Sequence, residues 1–147
     1  MKETLKPGLR HELRFTVSDA KTVPALYPEA DEFLAMPAVF ATGFMVGLLE
    51  WACVRVINPH LDMPAELSLG TGIDVTHEAA TPPGLTVTVE AELVEVDRRR
   101  LVFQVQAHDG VDVIARGTHE RVVVDRARFE AGVAKKKAAA AAGGSTV

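Results

Sequence analysis

The sequence GFMVGLLEWACVRV, residues 43–56, decides the fold because it is long enough for about four turns of helix and is apolar on almost every side. A helix of this kind is expected to be buried nearly all round by the rest of its domain. Glu50 is the exception, since none of the residues one turn away from it can pair with a carboxylate. Either Glu50 reaches the surface of an otherwise buried helix, or it faces a group that requires a carboxylate.

Length and charge exclude several classes of function. The 147 residues suit one domain with a real core, and a net charge of −4 gives no electrostatic basis for binding nucleic acid. Glu50 and Arg55 interrupt the best apolar stretch, so no membrane span is predicted. The charged N-terminus lacks a signal-peptide core, and the single cysteine, Cys53, can form neither an internal disulfide nor a cysteine-based metal cluster. We therefore expect a cytoplasmic protein.

Alternating apolar and polar residues predict strands on both sides of this helix. One strand precedes it, separated from it by a proline-rich loop with at most a short helical turn near EADEFLAM. The other four follow the helix, and Asp109-Gly110 is a strong hairpin turn between the last two. The strands are expected within LRHELRFTVS (9–18), AELSLGTGIDVTHEA (65–79), LTVTVEAEL (85–93), LVFQVQAH (101–108) and VDVIARGTHERVVV (111–124).

One sheet and one apolar helix bury each other best when the sheet curls around the helix, which is the hotdog arrangement. The predicted fold class is therefore α+β, a single hotdog fold with an antiparallel five-stranded sheet wrapped around one long central helix. An open sheet edge favours pairing of two copies about a two-fold axis. The domain is expected to span residues 1–130, and residues 131–147 to form a low-complexity C-terminal tail that continues a short helix.

A candidate site follows from the face of the second predicted strand. His77 continues its apolar side, so we expect His77 to face the helix and to meet Glu50, within one subunit or across a dimer. A carboxylate and a histidine in an apolar cleft can act as acid and base or as nucleophile and base. Both also have structural interpretations, as a carboxylate at a dimer rim and a satisfied core histidine. Thr42 precedes the apolar run, where capping of the helix is as good an interpretation as catalysis.

The other polar residues give no specific indication of a function. His108 and His119 are most simply interpreted as structural or solvated. The three arginines at 98–100 are typical of a solvated turn, and they could equally hold the phosphates of a nucleotide-bearing substrate.

Four long stretches resemble the fluoroacetyl-CoA thioesterase family, whose members are dimeric enzymes with a single hotdog fold. The similarity covers roughly residues 10–130, through LYPEADEF (26–33), VFATGFMVGLLEWACVRV (39–56), SLGTGIDVTHEAATPPGLTVTVEAEL (68–93) and AHDGVDVIARGTHER (107–121). The resemblance implies hydrolysis of a short acyl-CoA by a catalytic set of Thr42, Glu50 and His77. It also implies that Gly70 lies near the acyl group, and Arg121 of a matched motif is assigned to substrate binding.

The lid is where this chain departs from the family. The resemblance implies an aromatic lid around Phe33, and the fluoroacetyl-selective type has a second aromatic residue three positions later, where this chain has Met36. Methionine is flexible and has no fixed shape. We therefore expect a looser lid over the substrate, which weakens discrimination for fluorine or admits a slightly larger acyl group.

The function expected from these observations is a homodimeric acyl-CoA thioesterase for fluoroacetyl-CoA or a close short-chain relative, acting in detoxification. It is expected to need no metal or other cofactor, since coenzyme A belongs to the substrate. The alternatives are a non-catalytic acyl-CoA binding module and a hotdog enoyl-CoA hydratase. Hydratases of that type usually place an Asp and a His close together at the end of one helix, and this chain lacks that spacing.

Overall fold

The computed structural model describes residues 1–143 and contains one antiparallel sheet that curls around a central helix. The strands are β1 (Arg10–Thr16), β2 (Glu66–Val75), β3 (Thr86–Asp97), β4 (Arg100–His108) and β5 (Val113–Asp125). The helices are α1 (Asp31–Leu34), α2 (Thr42–Ile57) and α3 (Arg126–Gly143). Short 3-10 turns lie at Asp19–Lys21, Val23–Ala25 and Asn58–His60. The predicted hotdog fold is confirmed.

The sheet has the strand order β1-β3-β4-β5-β2, and every neighbouring pair is antiparallel. The alternation that predicted β3 and β4 also marks their inward faces, because the alternating apolar side chains are buried. These side chains are Val87, Val89, Ala91 and Leu93 on β3 and Leu101, Phe103, Val105 and Ala107 on β4. Within residues 1–143, each end strand, β1 and β2, has a partner on one side only.

Only one side of α2 is buried in the single chain. The buried side consists of Met45, Leu48, Leu49, Ala52, Cys53, Val56 and Ile57. On the other side Trp51 is 43% exposed, and apart from the α2 backbone and the adjoining residues no atom of the described chain lies within 4 Å of a β-carbon built on Gly47. The expectation that α2 is buried nearly all round is therefore wrong for one chain, since one sheet covers one side of a helix. An open apolar face remains on α2.

A bulge in β2 changes the face assignment made from alternation. The register against β5 shifts between Gly70 and Gly72. Before the shift Ser68 lies opposite Val123, which is buried, and after it Ile73 lies opposite His119, which is also buried. Directly opposed residues share a face, so the even positions before the bulge and the odd positions after it point toward α2. The expectation that His77 continues one unbroken apolar side of this strand is therefore wrong, and β2 also ends at Val75, before His77.

The C-terminal segment is more regular than expected. The predicted short helix is wrong in length, because α3 continues to Gly143, and no residue of α3 is buried. Its lysines and alanines are strong helix formers, which accounts for the added turns. The predicted tail thus begins inside α3, and residues 144–147 lie outside the described residues. Within residues 1–143 no helix is long and apolar enough to cross a membrane.

Candidate active site

Thr42 and His77 form the first polar cluster. Thr42 is the first residue of α2, and Ala41 occupies the N-cap position with no side-chain capping bond. The Thr42 hydroxyl is instead 2.7 Å from Nδ1 of His77. The structure therefore replaces the capping interpretation with a hydrogen bond to the predicted catalytic histidine.

The environment of His77 favours the neutral form of its imidazole. Its Nε2 is the one buried side-chain nitrogen or oxygen of residues 1–143 that has no hydrogen-bond partner. Burial lowers the pKa of His77, which favours neutral imidazole. If Nδ1–H donates to the Thr42 hydroxyl, Nε2 carries the lone pair and can accept a proton.

Glu50 belongs to a second cluster, which reaches α2 from β5. Arg121 Nη1 donates to Glu50 Oε1 at 3.2 Å, and His119 Nε2 lies 3.8 Å from the same oxygen. The Glu50 side chain is 40% exposed. Glu50 therefore has a partner that the sequence did not reveal, because Arg121 is 71 residues away along the chain. Within one described chain, no hydrogen bond or ion pair joins Glu50 to His77.

Arg121 is buried in this second cluster and uses its guanidinium to bond the residues around it. Its side chain is 8% exposed. Its Nε donates to Ser68 Oγ at 2.8 Å, its Nη2 to the Ser68 carbonyl at 2.9 Å, and its Nη1 also to His119 Nε2 at 3.1 Å. The sequence assigned Arg121 to substrate binding, and the structure places it behind Glu50 as the partner of that carboxylate.

His119 is the site residue that sequence reasoning missed. It was interpreted as structural or solvated, yet it is 2% exposed and lies between Arg121 and the carbonyl of Gly72. Burial, together with the charge of Arg121, lowers the pKa of His119. Its position two residues before Arg121 could have revealed it, since residues two apart on a strand share a face.

Gly70 lies against the carboxylate of Glu50. A β-carbon at residue 70 would stand 2.5 Å from Glu50 Oε1 and 3.4 Å from both Arg121 Nη1 and His119 Cε1. No other amino acid leaves that space empty, so any side chain at residue 70 would displace the carboxylate of Glu50. The resemblance put Gly70 near the acyl group, and its position beside Glu50 is compatible with that expectation.

The lid residues lie on and just after α1. The Phe33 ring packs on Tyr27, with ring centroids 6.1 Å apart. Met36 follows the end of α1, where its N–H bonds to the Phe33 carbonyl at 3.1 Å, and its side chain is 52% exposed. The aromatic partner of Phe33 is thus Tyr27, and a contact between Phe33 and Met36 over the substrate stays a prediction.

The remaining candidates take no part in either cluster. Arg99 pairs with Glu66, and Arg100 pairs with Glu95 and Glu120, as expected for a surface turn. Burial raises the pKa of the Cys53 thiol to about 12, so it is not a thiolate at neutral pH. In the part of the chain that the structure describes, no group of three or more His, Cys, Asp or Glu side chains could hold a metal ion.

Comparisons with known proteins agree with this fold. The model of the fluoroacetyl-CoA-specific thioesterase family matches residues 17–127. The fluoroacetyl-CoA thioesterase of Streptantibioticus cattleyicolor is 59% identical over 136 residues, which are 92% of this chain and 97% of that protein. A solved threonine-to-serine variant of FlK in complex with acetyl-CoA has a TM-score of 0.87 at 58% identity, and covers 90% of this chain and 98% of that chain.

A more distant structure has the same architecture. A hypothetical protein of Thermus thermophilus, described as a thioesterase superfamily member, has a TM-score of 0.84 at 26% identity over 95% of this chain and 98% of that chain. The family model and the relative from S. cattleyicolor both extend across the two polar clusters. On this evidence the chain belongs to the fluoroacetyl-CoA-specific thioesterase family.

Proposed function

We propose that the chain hydrolyses fluoroacetyl-CoA, or a closely related short-chain acyl-CoA, to the free acid and coenzyme A. The observation that carries this is Glu50, a half-exposed carboxylate on an apolar helix, held by the buried cation Arg121 and approached closely by Gly70. Such a group is oriented and reachable by substrate. The 59% identical relative is named for this substrate, and FlK variants are solved with acetyl-CoA and with fluoroacetate.

The active site, in our proposal, is completed by a second copy of the chain. Eight residues separate Thr42 from Glu50, which is about 12 Å along α2. One small acyl group does not span that distance, so the Thr42–His77 pair of one copy is proposed to face Glu50 of the other. The open face of α2 around Gly47 and Trp51 and the free edge of β2 support a homodimer.

His77 and Glu50 divide the chemistry of hydrolysis. Water oxygen bonds to the thioester carbonyl carbon, the C–S bond breaks, and the thiolate of coenzyme A takes up a proton. Glu50 acts as base toward water, or as a nucleophile that displaces the thiolate to form an acyl anhydride, which water then cleaves. His77 Nε2 accepts a proton from water or from the α-carbon, which fluorine makes more acidic; in the second case the electron pair expels the thiolate and water adds to the resulting ketene. The first turn of α2 has no side-chain cap, so its backbone N–H groups are suited to the developing oxyanion.

The proposal needs no further reactant, so we expect no metal or other cofactor. The physiological role we propose is detoxification, removal of an activated poison before it enters central metabolism. We place the enzyme in the cytoplasm, as expected for a chain whose one cysteine, Cys53, is buried and free.

Release of free thiol from acyl-CoA substrates tests this function. We expect kcat/KM to be higher for fluoroacetyl-CoA than for acetyl-CoA. Equal values would restrict the function to a general short-chain thioesterase. Binding of both compounds without thiol release would indicate a binding module, and addition of water to a 2-enoyl-CoA would indicate a hydratase.

A further inference from the structure

The imidazole of His119 has its proton position fixed by one neighbour. Nδ1 of His119 is 2.7 Å from the backbone carbonyl oxygen of Gly72, in the bulge of β2. A carbonyl oxygen only accepts hydrogen bonds, so Nδ1 carries the hydrogen.

The other ring nitrogen meets a group that only donates. Nε2 of His119 is 3.1 Å from Nη1 of Arg121, and a guanidinium has no acceptor. Nε2 therefore presents its lone pair to Arg121, and the ring is a neutral imidazole in the Nδ1–H form. Burial and the charge of Arg121 both lower the pKa of His119, in agreement with this assignment.

This acceptor determines how Arg121 approaches Glu50. Nη1 of Arg121 bonds both His119 Nε2 and Glu50 Oε1, while Nε and Nη2 bond Ser68. One Nη1 hydrogen is thus used by His119, and one is left for the carboxylate. Both contacts to Glu50 are made at Oε1, at 3.2 Å from Arg121 and 3.8 Å from His119.

We propose that His119 is a positioning residue for the thioesterase reaction, which holds Arg121 so that it bonds Glu50 once, at Oε1, and leaves Oε2 for the reacting atoms. The proposal deepens the function proposed above and rests on it. His119 acts through Arg121 and needs no contact with the substrate.

A purely structural role makes the opposite prediction. The His119 ring stacks on Phe103 with centroids 6.2 Å apart, so it could serve only as a flat filler of the core. His119→Phe keeps a ring for that contact but loses the acceptor and the donor. His119→Gln loses the ring and keeps one acceptor and one donor at similar reach.

The test is therefore the order of the two variants in steady-state kinetics with fluoroacetyl-CoA. We expect His119→Phe to lower kcat by about tenfold to a hundredfold, by analogy with the loss found in metalloenzymes when a side chain that orients a metal ligand is removed. KM should change little, and His119→Gln should recover most of kcat. The same substitutions at His108, at the far end of β4, control for general loss of a histidine.

If kcat of His119→Phe is not lower than kcat of His119→Gln, the proposal is overturned. A second measurement does not depend on activity or on the variants folding. Long-range ¹H–¹⁵N correlation spectra of the wild-type protein should show His119 neutral, with its proton on Nδ1, at neutral pH. An Nε2–H or doubly protonated ring would overturn the proposal. Lack of hydrolysis by the wild-type protein with the Nδ1–H form present would instead defeat the proposed function, and with it the positioning role, while the hydrogen bonds of His119 to Gly72 and Arg121 would stand.

Discussion

Gly70 of β2 and Glu50 of α2 lie so close together that a β-carbon at residue 70 would stand 2.5 Å from the carboxylate oxygen Oε1. The backbone of an edge strand therefore helps to place the one carboxylate of the central helix. Arg121 holds the same oxygen from β5, at 3.2 Å. The Glu50 carboxylate therefore lies between the backbone of Gly70 and the buried guanidinium of Arg121. A substitution at residue 70 can move it, and turnover then shows whether its position matters.

Gly70→Ala should displace Glu50 without unfolding the protein. The carboxylate is the flexible end of a half-exposed side chain, so it can move away from the new methyl group, but the bond to Arg121 must lengthen or break. A shift of about 1 Å in a reacting group can lower turnover by about a hundredfold. We expect a loss of kcat of up to that size, measured together with the melting temperature.

Gly72→Ala is the matched comparison. A β-carbon there would meet only the Glu120 side chain at 3.8 Å, an ordinary contact, so this variant should lose much less activity. Equal losses in the two variants would show that close approach at residue 70 is not what matters.

Glu50→Gln should abolish most turnover. The amide keeps the shape of the carboxylate and can still accept a bond from Arg121, but it can act neither as nucleophile nor as base. Loss of a positioned acid or base lowers rates by about a hundredfold or more. Thiol release from fluoroacetyl-CoA measures the effect, with the exposed Glu95→Gln as control for loss of a carboxylate. Near-normal turnover of a folded Glu50→Gln protein would remove Glu50 from the mechanism.

The acid limb of the pH profile should reflect His77. Because burial lowers its pKa below the ordinary value of 6.5, neutral His77 persists to lower pH than free imidazole does. We therefore expect kcat/KM for fluoroacetyl-CoA to decrease on the acid side of the profile with an apparent pKa below 6.5. Substituting His77 by Gln should remove this limb along with most of the activity. A limb above 6.5 would contradict a buried neutral base.

The free energy of unfolding should depend on pH because burial lowers the pKa of two histidines in the folded protein. His77 and His119 both have a folded-state pKa lowered by burial, so the unfolded chain binds more protons than the folded one just below pH 6.5. The free energy of unfolding should then decrease as the pH falls through that range. Urea unfolding at a series of pH values checks the sign, and no change between neutral pH and about pH 5 would contradict it.

The fold was predictable because its elements are encoded by local patterns. The alternation from Val87 to Leu93 gives the buried face of β3, and the break at Asn58-Pro59 lies where α2 ends. The exception is β2, where two glycines flank Thr71 and the bulge between them reverses the inward face. Alternation assumes an unbroken ladder, so one extra residue is enough to invalidate it.

The site was predictable only in part, because its contacts join distant segments. Glu50 stood out because the helix offered it no partner, but its pairing with Arg121 depends on the register of β5 against β2. The bond between Thr42 and His77 likewise depends on where the loop after β2 returns to α2. His119 carried only a weak local signal, its position two residues before Arg121 on the same strand, since an isolated histidine on a strand is usually structural.

Deleting residues 135–147 should leave activity and stability unchanged. No residue of α3 is buried, so residues 135–143 contribute no core, and residues 144–147 lie outside the described residues. A deletion from residue 126 is the contrasting variant, because Arg126 bonds the carbonyls of Pro64 and Ala65 ahead of β2. That longer deletion should lower the melting temperature. A comparable loss in the shorter one would show that the C-terminal half of α3 has a partner, most simply a second copy on gel filtration.

The last prediction concerns the lid. Met36 is 52% exposed in the single chain and directly follows the helix that carries Phe33, so it is available to close over an acyl group. Phenylalanine at this position would be stiffer and flatter than methionine. Met36→Phe should therefore sharpen the preference for fluoroacetyl-CoA, chiefly by lowering activity on butyryl-CoA. A change in an apolar pocket on the scale of one methylene is worth about 1–3 kcal/mol, which sets the upper size of the effect.

The ratio of kcat/KM for fluoroacetyl-CoA to that for butyryl-CoA measures this preference in both proteins. Leu34→Phe is the matched control, because Leu34 is equally exposed, at 51%, and ends α1 two residues before Met36, so the variant adds the same ring close by on the chain. The ratio should rise in Met36→Phe and stay near the wild-type value in Leu34→Phe. If it stays the same in both variants, residue 36 does not touch the acyl group, and the looser lid expected from methionine does not set specificity.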